Sequence, residues 1–249
     1  MEVPVIETRG LIKSYRTGEH AVPVLRDVSM SVHRGECLFL VGPSGSGKTT
    51  LLSILGCVLS ADSGEIRILG HDVKHLNPDE QAEFRREKIG FVFQRLNLFD
   101  ALTALENVCI PLQLLRWKKA ASVSRGKHLL DLLGLGGLTD RNVTQLSMGQ
   151  RQRVAVARAL AADPELILAD EPTASLDESS GLQAIATLKD LCRSLGKTVV
   201  VVTHDSRIFS FADRVLTLNN GQMKPSVHTD SLNAVRMDTN TPEPMKKAA

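Results

Sequence analysis

Short apolar segments, each ending at a glycine or at polar residues, recur along the chain. They read CLFLV (37–41), IGFVF (89–93), LILAD (166–170), TVVVVT (198–203) and RVLTL (214–218). Runs this short and this apolar indicate buried strands of a parallel sheet. Apolar residues at helical spacing run from Lys48 to about Leu59 and again from Ser179 to Leu195. Strands that alternate with helices predict an α/β fold, with a mainly parallel sheet and helices on both faces.

Three regions depart from this alternation. VIET (5–8) and VLRDVSMSV (24–32) alternate in part, which predicts strands of an N-terminal antiparallel β region. From about 95 to 145 the spacing is helical without a convincing strand, so we expect a helical subdomain inserted into the α/β core. The chain is poor in apolar residues from 225 to 249, which predicts a disordered tail. The folded domain is therefore expected to span residues 1–224.

Composition and charge exclude several classes of function. The 249 residues carry a formal net charge of +2, which lacks the basic excess expected of a nucleic-acid-binding protein. No apolar run reaches the roughly 18–20 residues of a membrane-spanning helix. The N-terminus lacks the basic and apolar regions of a signal peptide. We therefore expect a cytosolic protein that contacts a membrane only through a partner.

The segment GPSGSGKT at 42–49, called the phosphate loop below, fits the pattern G-x-x-x-x-G-K-[ST]. It follows a predicted strand and precedes a predicted helix, which is the context that this pattern requires. Its glycines allow a tight turn whose N–H groups point at phosphate oxygens. Lys48 is expected to reach the outer phosphates, and the hydroxyl of Thr49 to bind Mg²⁺. The residues predicted here to bind nucleotide are Gly42, Pro43, Ser44, Gly45, Ser46, Gly47, Lys48, Thr49 and Thr50.

Polar residues follow three other predicted strands. Asp170 ends LILAD, where a carboxylate can hold the Mg²⁺ of a bound nucleotide, and Glu171 is free to orient a water. His204 follows TVVVVT and is expected to sense the terminal phosphate. Gln94 follows IGFVF and is expected to reach the Mg²⁺ or the attacking water. Ligands of open α/β sheets bind at the carboxyl ends of the strands, so these residues predict binding and hydrolysis of a nucleoside triphosphate.

A second helix start also has phosphate-binding character. LSMGQ at 146–150, called the signature segment below, begins with the capping-box spacing Ser147 to Gln150. A helix N-terminus presents free N–H groups and the positive end of the helix dipole, both of which suit a phosphate. The sequence therefore carries two phosphate-facing helix starts about a hundred residues apart.

The motifs together resemble the ATP-binding subunit of ABC transporters, from about Val5 to about Gln222. They are Tyr15, GPSGSGKT, Gln94, LSMGQRQR, LILADE, SLD (175–177) and His204, in the order that this family shows. The resemblance implies ATP and Mg²⁺ as ligands. It also implies that two ATP-binding subunits, expected to be identical, pack head to tail and that a separate transmembrane permease subunit is driven by them. Each ATP then lies between the phosphate loop of one subunit and the signature segment of the other.

Residue roles follow from the same resemblance. Tyr15 is expected to stack on adenine, and Asp177 to lie in the loop between the two sites. Ser147 and the N–H of Gly149, beside Gln150, would face the phosphate held by the partner subunit. Glu171 would be the catalytic base, and Gln94 would couple the nucleotide to the permease subunit.

One position departs from the family pattern. The usual signature is LSGGQ, and Met148 replaces its first glycine. The backbone N–H is kept, whereas the small size and the access to positive φ of glycine are lost. Met148 therefore weakens the case for a phosphate contact at this one position and is expected to lower turnover. Because Ser147, Gly149 and Gln150 are intact, we still expect a functional site.

The finer placement rests on two stretches, TGEHAVPVL (17–25) and NLFDALTALENV (97–108), which resemble the macrolide-export and lipoprotein-release group. We accordingly expect a subunit for export or for extraction of lipids, lipoproteins or peptides. Three alternatives stay open: the ATP-binding subunit of an importer, an ABC ATPase without a transport role, and a small P-loop kinase. A kinase would need an acceptor-binding lid and would need neither LSMGQ nor SLD.

Overall fold

The computed structural model describes residues 3–18 and 20–228. Its strands are β1 (Ile6–Thr17), β2 (His20–Val32), β3 (Cys37–Val41), β4 (Ser63–Ile68), β5 (His71–Asp72), β6 (Ile89–Val92), β7 (Leu166–Asp170), β8 (Thr198–Val202), β9 (Arg214–Asn219) and β10 (Gln222–His228). Its α-helices are α1 (Lys48–Leu55), α2 (Pro78–Lys88), α3 (Ala104–Leu114), α4 (Lys119–Leu132), α5 (Met148–Leu160) and α6 (Glu178–Ser194).

The strands form two sheets, which confirms the predicted fold class. The larger sheet has the order β10-β9-β3-β8-β7-β6, and all of its neighbours pair in parallel except β10 with β9. The smaller sheet has the order β2-β1-β4-β5 and is antiparallel. It is the antiparallel β region expected near the N-terminus.

Strand β3 shows why the central strands are apolar at every position. Cys37, Phe39 and Val41 face a core shared with helices α3 to α6. Leu38 and Leu40 face the opposite core, which contains α1 and the inner side of the smaller sheet. Because both faces of the larger sheet are covered, a continuous apolar run replaces the alternation of a half-exposed strand.

The sheet order brings the candidate residues to one edge. Strands β3, β8, β7 and β6 are parallel neighbours, so their carboxyl ends lie side by side. The phosphate loop follows β3, His204 follows β8, Glu171 follows β7 and Gln94 follows β6. The fold thus collects residues from four distant segments of the chain.

The segment predicted to be helical contains α3, α4 and two short 3₁₀ turns at Gly136–Leu138 and Val143–Gln145. Helix α3 begins with a capping box, in which Thr103 and Glu106 each accept a hydrogen bond from the backbone of the other. Helix α1 is shorter than predicted. It ends at Leu55 rather than near Leu59, because Gly56 caps it and Cys57 takes a left-handed φ of 54°.

Of the strands and α-helices in the described residues, α2, β5 and β10 were absent from the prediction, whereas β4 matches the strand-like alternation of EIRI at 65–68. Helix α2 has the clearest missed signal, since Pro78 follows Asn77 and Glu80 completes a capping box with that asparagine. Strand β10 runs to His228, so the predicted start of the tail at residue 225 lies inside a strand. Residues 229–249, which make up the rest of the predicted tail, lie outside the described residues.

Across the described residues 3–18 and 20–228, the helices are too short or too polar to cross a bilayer. The four cysteines are free and buried. Burial raises the pKa of the Cys57 thiol to about 11, which is typical of unreactive core cysteines.

Candidate functional site: a phosphate-binding edge and a separate half-site

The phosphate loop turns tightly between β3 and α1 because glycine stands where a side chain would collide. Gly42 has a φ of 153°, and a Cβ atom there would lie 2.0 Å from the carbonyl oxygen of Leu218. Gly47 caps α1 with a left-handed φ of 102°, and a Cβ atom there would lie 2.9 Å from the carbonyl oxygen of Val24. The N-terminus of α1 therefore opens directly into the loop, as anion binding requires.

Two side chains in the loop are arranged for a ligand. Lys48 Nζ donates hydrogen bonds to the carbonyl oxygens of Gly42 at 2.8 Å and Pro43 at 3.0 Å, which places its charge within the loop. The hydroxyl of Ser46 is buried and has no hydrogen-bond partner among the described residues. A buried hydroxyl without a partner is costly, so it is an observation that favours a bound acceptor here.

The oxygen atoms beside the loop suit Mg²⁺. Thr49 Oγ1 lies 3.5 Å from Asp170 Oδ1. Burial, followed by the neighbouring charge of Glu171, raises the pKa of the Asp170 carboxyl. A hydroxyl and a carboxylate are ligands that Mg²⁺ prefers, and a cation here would offset the two adjacent acids. The residues present therefore fit the ion.

Glu171 and His204 form a doubly connected polar pair at this edge. Glu171 Oε1 lies 2.7 Å from His204 Nδ1, and the backbone N–H of His204 donates to Glu171 Oε2 at 3.4 Å. Glu171 adopts a left-handed φ of 45°, and its N–H donates to the carbonyl oxygen of Val202 at 2.8 Å. Strain in a non-glycine residue of this kind is common at functional sites.

These groups surround a cavity of about 670 Å³, called the nucleotide cavity below. It is lined by Val24, Ser44, Gly45, Gly47, Lys48, Thr49, Thr50, Gln94, Glu171 and His204. The structure thus brings Gln94 to the same space as the phosphate loop. Tyr15 lies at its side, with its phenol oxygen 3.5 Å from Thr50 Oγ1, and the residue as a whole is 43% exposed. Val24 was missed by the sequence analysis, because an apolar residue of an edge strand carries no motif.

The signature segment forms a different site. Ser147 caps α5: its Oγ accepts from the N–H of Gln150 at 3.3 Å, and its own N–H donates to Gln150 Oε1 at 2.9 Å. Ser147, Met148 and Gly149 line a second cavity of about 450 Å³, called the signature cavity, together with Ser175, Leu176 and Asp177. In the described part of the chain, the two cavities have no lining residue in common.

Asp177 is held at the start of α6. Its Oδ1 accepts from the hydroxyl of Ser179 at 2.7 Å and from the N–H of Ser180 at 3.0 Å. Hydrogen bonds, first those from Ser180, hold the pKa of the Asp177 carboxyl well below its usual range. The side chain therefore stays charged at the rim of the signature cavity.

Met148 does not need the conformational freedom of a glycine. It is the first residue of α5 and is not among the residues of positive φ. The expectation that losing glycine's positive φ matters here is therefore wrong. Met148 is 43% exposed and lines the signature cavity, so the effect left to this substitution is the space that its side chain occupies there.

A comparison with known protein families identifies the chain. The sequence model of one family, described as ABC transporter, matches residues 25–174. This range includes the phosphate loop, Gln94, the signature segment, Asp170 and Glu171. The chain belongs to the ABC transporter family. Tyr15, Asp177 and His204 lie outside the matched range, and the structure places Tyr15 and His204 beside the nucleotide cavity and Asp177 at the signature cavity.

Curated relatives support this family membership. The chain is 45% identical over 222 residues to the macrolide export ATP-binding/permease protein MacB of Photorhabdus laumondii. It is 44% identical over 219 residues to the protein of the same name in Salmonella typhimurium. Each alignment covers 88% of this chain and 34% of the relative. The chain thus spans about a third of the length of the curated relatives it matches.

Solved structures of the family share the fold. A dimeric, post-hydrolysis structure of the ATP-binding cassette MJ0796, bound to ADP and Pi, is 39% identical with a TM-score of 0.82 and covers 90% of this chain and 98% of that one. The protein cbiO1 of Clostridium perfringens, part of the ABC transporter complex cbiONQ, is 26% identical with a TM-score of 0.84, over 94% of this chain and 92% of that one.

Proposed function

We propose that this chain binds and hydrolyses ATP as the motor subunit of an ABC transporter and dimerises head to tail when ATP binds. The observation that carries the proposal is the presence of two half-sites in one chain. The nucleotide cavity has a cradle for phosphates but contains no residue of the signature segment. The signature cavity lies elsewhere and has the helix start that a second phosphate contact needs. Two chains in antiparallel arrangement complete both sites.

Within the proposed mechanism, the loop amides and Lys48 hold the outer phosphates of ATP. Mg²⁺ neutralises charge on the phosphate oxygens when it is bound, and Thr49, Asp170 and Gln94 are the residues that would hold it. Glu171 orients the attacking water and accepts its proton. His204 fixes the carboxylate of Glu171 through the 2.7 Å contact. Positioning and electrostatics supply the acceleration, as in phosphoryl transfer generally.

The chain also offers a surface for the proposed permease subunit. An apolar groove of about 390 Å³ is lined by Val58, Arg85, Arg86, Ile89, Gly90, Phe91, Phe93, Asn97, Phe99, Ile110, Pro111, Leu114, Arg158, Ala159 and Ala162. Val58, Phe99 and Leu114 in it are each more than half exposed. Phe93 lines this groove, whereas the next residue, Gln94, lines the nucleotide cavity. A partner helix in the groove would contact Phe93, which is joined by one peptide bond to Gln94 of the nucleotide cavity. A shift of Gln94 on nucleotide binding would therefore reach the partner helix directly.

The direction of transport is proposed from the relatives. Relatives named as macrolide export proteins support export as the role of this chain. Our proposal places the chain at the inner face of the cell membrane, attached there through the permease subunit.

Two variants test the hydrolysis proposal. Lys48→Ala removes a charged donor and is expected to weaken ATP binding about tenfold or more. Glu171→Gln removes the base and is expected to lower kcat by about 100-fold or more while ATP binding is kept. Equilibrium binding of a fluorescent ATP analogue and phosphate release measure the two effects. Tight binding by Lys48→Ala, or parental turnover by Glu171→Gln, would contradict the assigned roles.

The permease proposal has its own experiment. The tagged chain is recovered from gently solubilised membranes, and co-purifying proteins are identified by mass spectrometry. Recovery of an integral membrane protein by the parent, with loss of that protein in a Leu114→Asp variant, is the expected result. Recovery of soluble partners only, while a control transporter stays intact, would contradict it.

A further inference from the structure

Helix α5 begins with the signature segment and carries two arginines that hold the segment 95–100. Arg158 donates from one guanidinium nitrogen to the carbonyl oxygen of Leu96 at 2.6 Å and from the other to that of Asn97 at 2.5 Å. Arg151 lies seven residues earlier, on the same face of the helix, and its guanidinium lies 3.1 Å from Asp100 Oδ1. The two ends of the segment are thus attached to one helix.

The segment 95–100 has a backbone that needs such support. Leu96 and Asn97 are consecutive non-glycine residues with left-handed φ values of 57° and 48°. This conformation is unfavourable for residues with a Cβ atom and persists only where surrounding contacts enforce it. Each of the two strained residues offers its carbonyl oxygen to Arg158. The planar fork of arginine is suited to two neighbouring acceptors, and lysine cannot replace it there.

The position of this segment gives the contact a functional meaning. It follows Gln94 of the nucleotide cavity, and its Asn97 and Phe99, like Arg158 itself, line the apolar groove. At the other end of α5, Ser147, Met148 and Gly149 line the signature cavity. Helix α5 therefore connects the half-site for the partner's nucleotide to the segment that places Gln94.

We propose that Arg158 is a positioning residue that ties Gln94 to the signature helix. Movement of α5, when its N-terminus engages the partner's ATP, then shifts the segment 95–100 and with it Gln94 and the groove. The inference rests on the proposed ATPase function and extends it by naming the link between the two half-sites.

The test compares Arg158→Met with a matched control, Arg125→Met. Arg125 on α4 also donates to two consecutive carbonyl oxygens, those of Leu160 and Ala161, at the far end of the same helix. Each substitution removes a guanidinium group that donates to two consecutive backbone carbonyl oxygens, and both should lower the Tm. Only Arg158→Met is expected to raise amide hydrogen exchange over residues 94–99, by about tenfold in the nucleotide-free chain. Equal exchange there in the two variants would overturn the proposal.

Turnover supplies a readout that a purely structural role would not move. Arg158→Met is expected to lower kcat about tenfold with an ATP KM near that of the parent, whereas Arg125→Met keeps the parental kcat. Combined with Gln94→Ala, the losses should be less than multiplicative, because both changes act on one residue. Multiplicative losses would contradict the proposal. If Arg158→Met does not fold, Arg158→Lys takes its place and should show the same pattern more weakly.

The two proposals fail in different ways. A parent chain without ATPase activity would contradict the proposed function, while the exchange measurement in the nucleotide-free chain would still decide the role of Arg158. Normal ATPase activity combined with unchanged exchange in Arg158→Met would overturn the link alone.

Discussion

At the residue scale, the contact between Glu171 and His204 joins an exposed side chain to a nearly buried one. The side chain of His204 is 69% exposed, whereas that of Glu171 is 11% exposed. An exposed imidazole alone would be free to rotate. Its 2.7 Å contact with a carboxylate that is itself held by a strained backbone fixes both groups at the rim of the nucleotide cavity.

His204→Ala should separate binding from turnover. The loss of the contact leaves Glu171 free to leave its position, and misplacement of a catalytic group by about 1 Å costs up to about 100-fold in rate. We expect kcat to fall by about 10- to 100-fold with little change in ATP affinity, measured by phosphate release and by equilibrium binding. His75→Ala, a change to another exposed histidine, is the control. A kcat within twofold of the parent would refute the positioning role.

The residues of the site differ in how far the sequence predicts them. The phosphate loop, Asp170 and Glu171 follow apolar runs at fixed spacing, so their positions follow from the pattern. The positions of Val24 and Arg158 do not. Val24 reaches the nucleotide cavity from β2, and Arg158 donates to carbonyl oxygens 61 and 62 residues away, and no local pattern encodes either placement. The left-handed conformation of Glu171 also has no sequence signal; it occurs together with a hydrogen bond from its N–H to the carbonyl oxygen of Val202, a residue of another strand.

At the element scale, a close approach of helix to strand packs the last turn of α5 against the larger sheet. Gly90 of β6 faces the last turn of α5, and a Cβ atom there would lie 2.3 Å from the carbonyl oxygen of Ala159. Glycine within a strand marks such a close approach. The absence of a side chain at one position thus sets the distance between α5 and the larger sheet.

Gly90→Ala should push α5 away from the sheet. Overpacking in a filled core typically costs about 1–3 kcal/mol, and we expect a loss of that size in the free energy of unfolding, measured by urea titration. Gly137→Ala is the control, because a Cβ atom there meets nothing within 4 Å. Equal stability of the two variants would mean that the approach is not tight.

The elements themselves were predicted unevenly. The central strands and helices α1 and α6 follow from hydrophobic pattern, since each is buried against both neighbours or along one face. Helix α2 was missed because Phe84 is its one buried residue, which leaves little periodicity to detect. The sequence signals that predict this helix are the capping box of Asn77 and Glu80 and the proline at position 78.

At the scale of the whole molecule, the two cavities explain why the chain has two phosphate-facing helix starts. Helices α1 and α5 open into different cavities, so one chain alone does not surround a nucleotide with both. The proposed head-to-tail dimer would give each of the two helix starts a phosphate.

The dimer can be tested with a charge at the signature segment. Aspartate and asparagine both cap helices well, so Ser147→Asp and Ser147→Asn should each keep α5 intact. Only the aspartate places a negative charge where the partner's phosphate would bind. In a Glu171→Gln background, we expect ATP to dimerise Ser147→Asn and to leave Ser147→Asp monomeric, as measured by light scattering. Dimerisation of both variants would show that Ser147 does not face the partner's phosphate.

The most direct measurement mixes two defective chains. In the Glu171→Gln background, Lys48→Ala lacks a functional phosphate loop and Ser147→Asp lacks a functional signature segment, so each alone should stay monomeric with ATP. A heterodimer of the two has one intact composite site, formed by the phosphate loop of one chain and the signature segment of the other. Light scattering of the mixture with ATP should show a species of twice the 27.1 kDa chain mass. A mixture that stays monomeric, while the Glu171→Gln parent dimerises, would contradict the shared site.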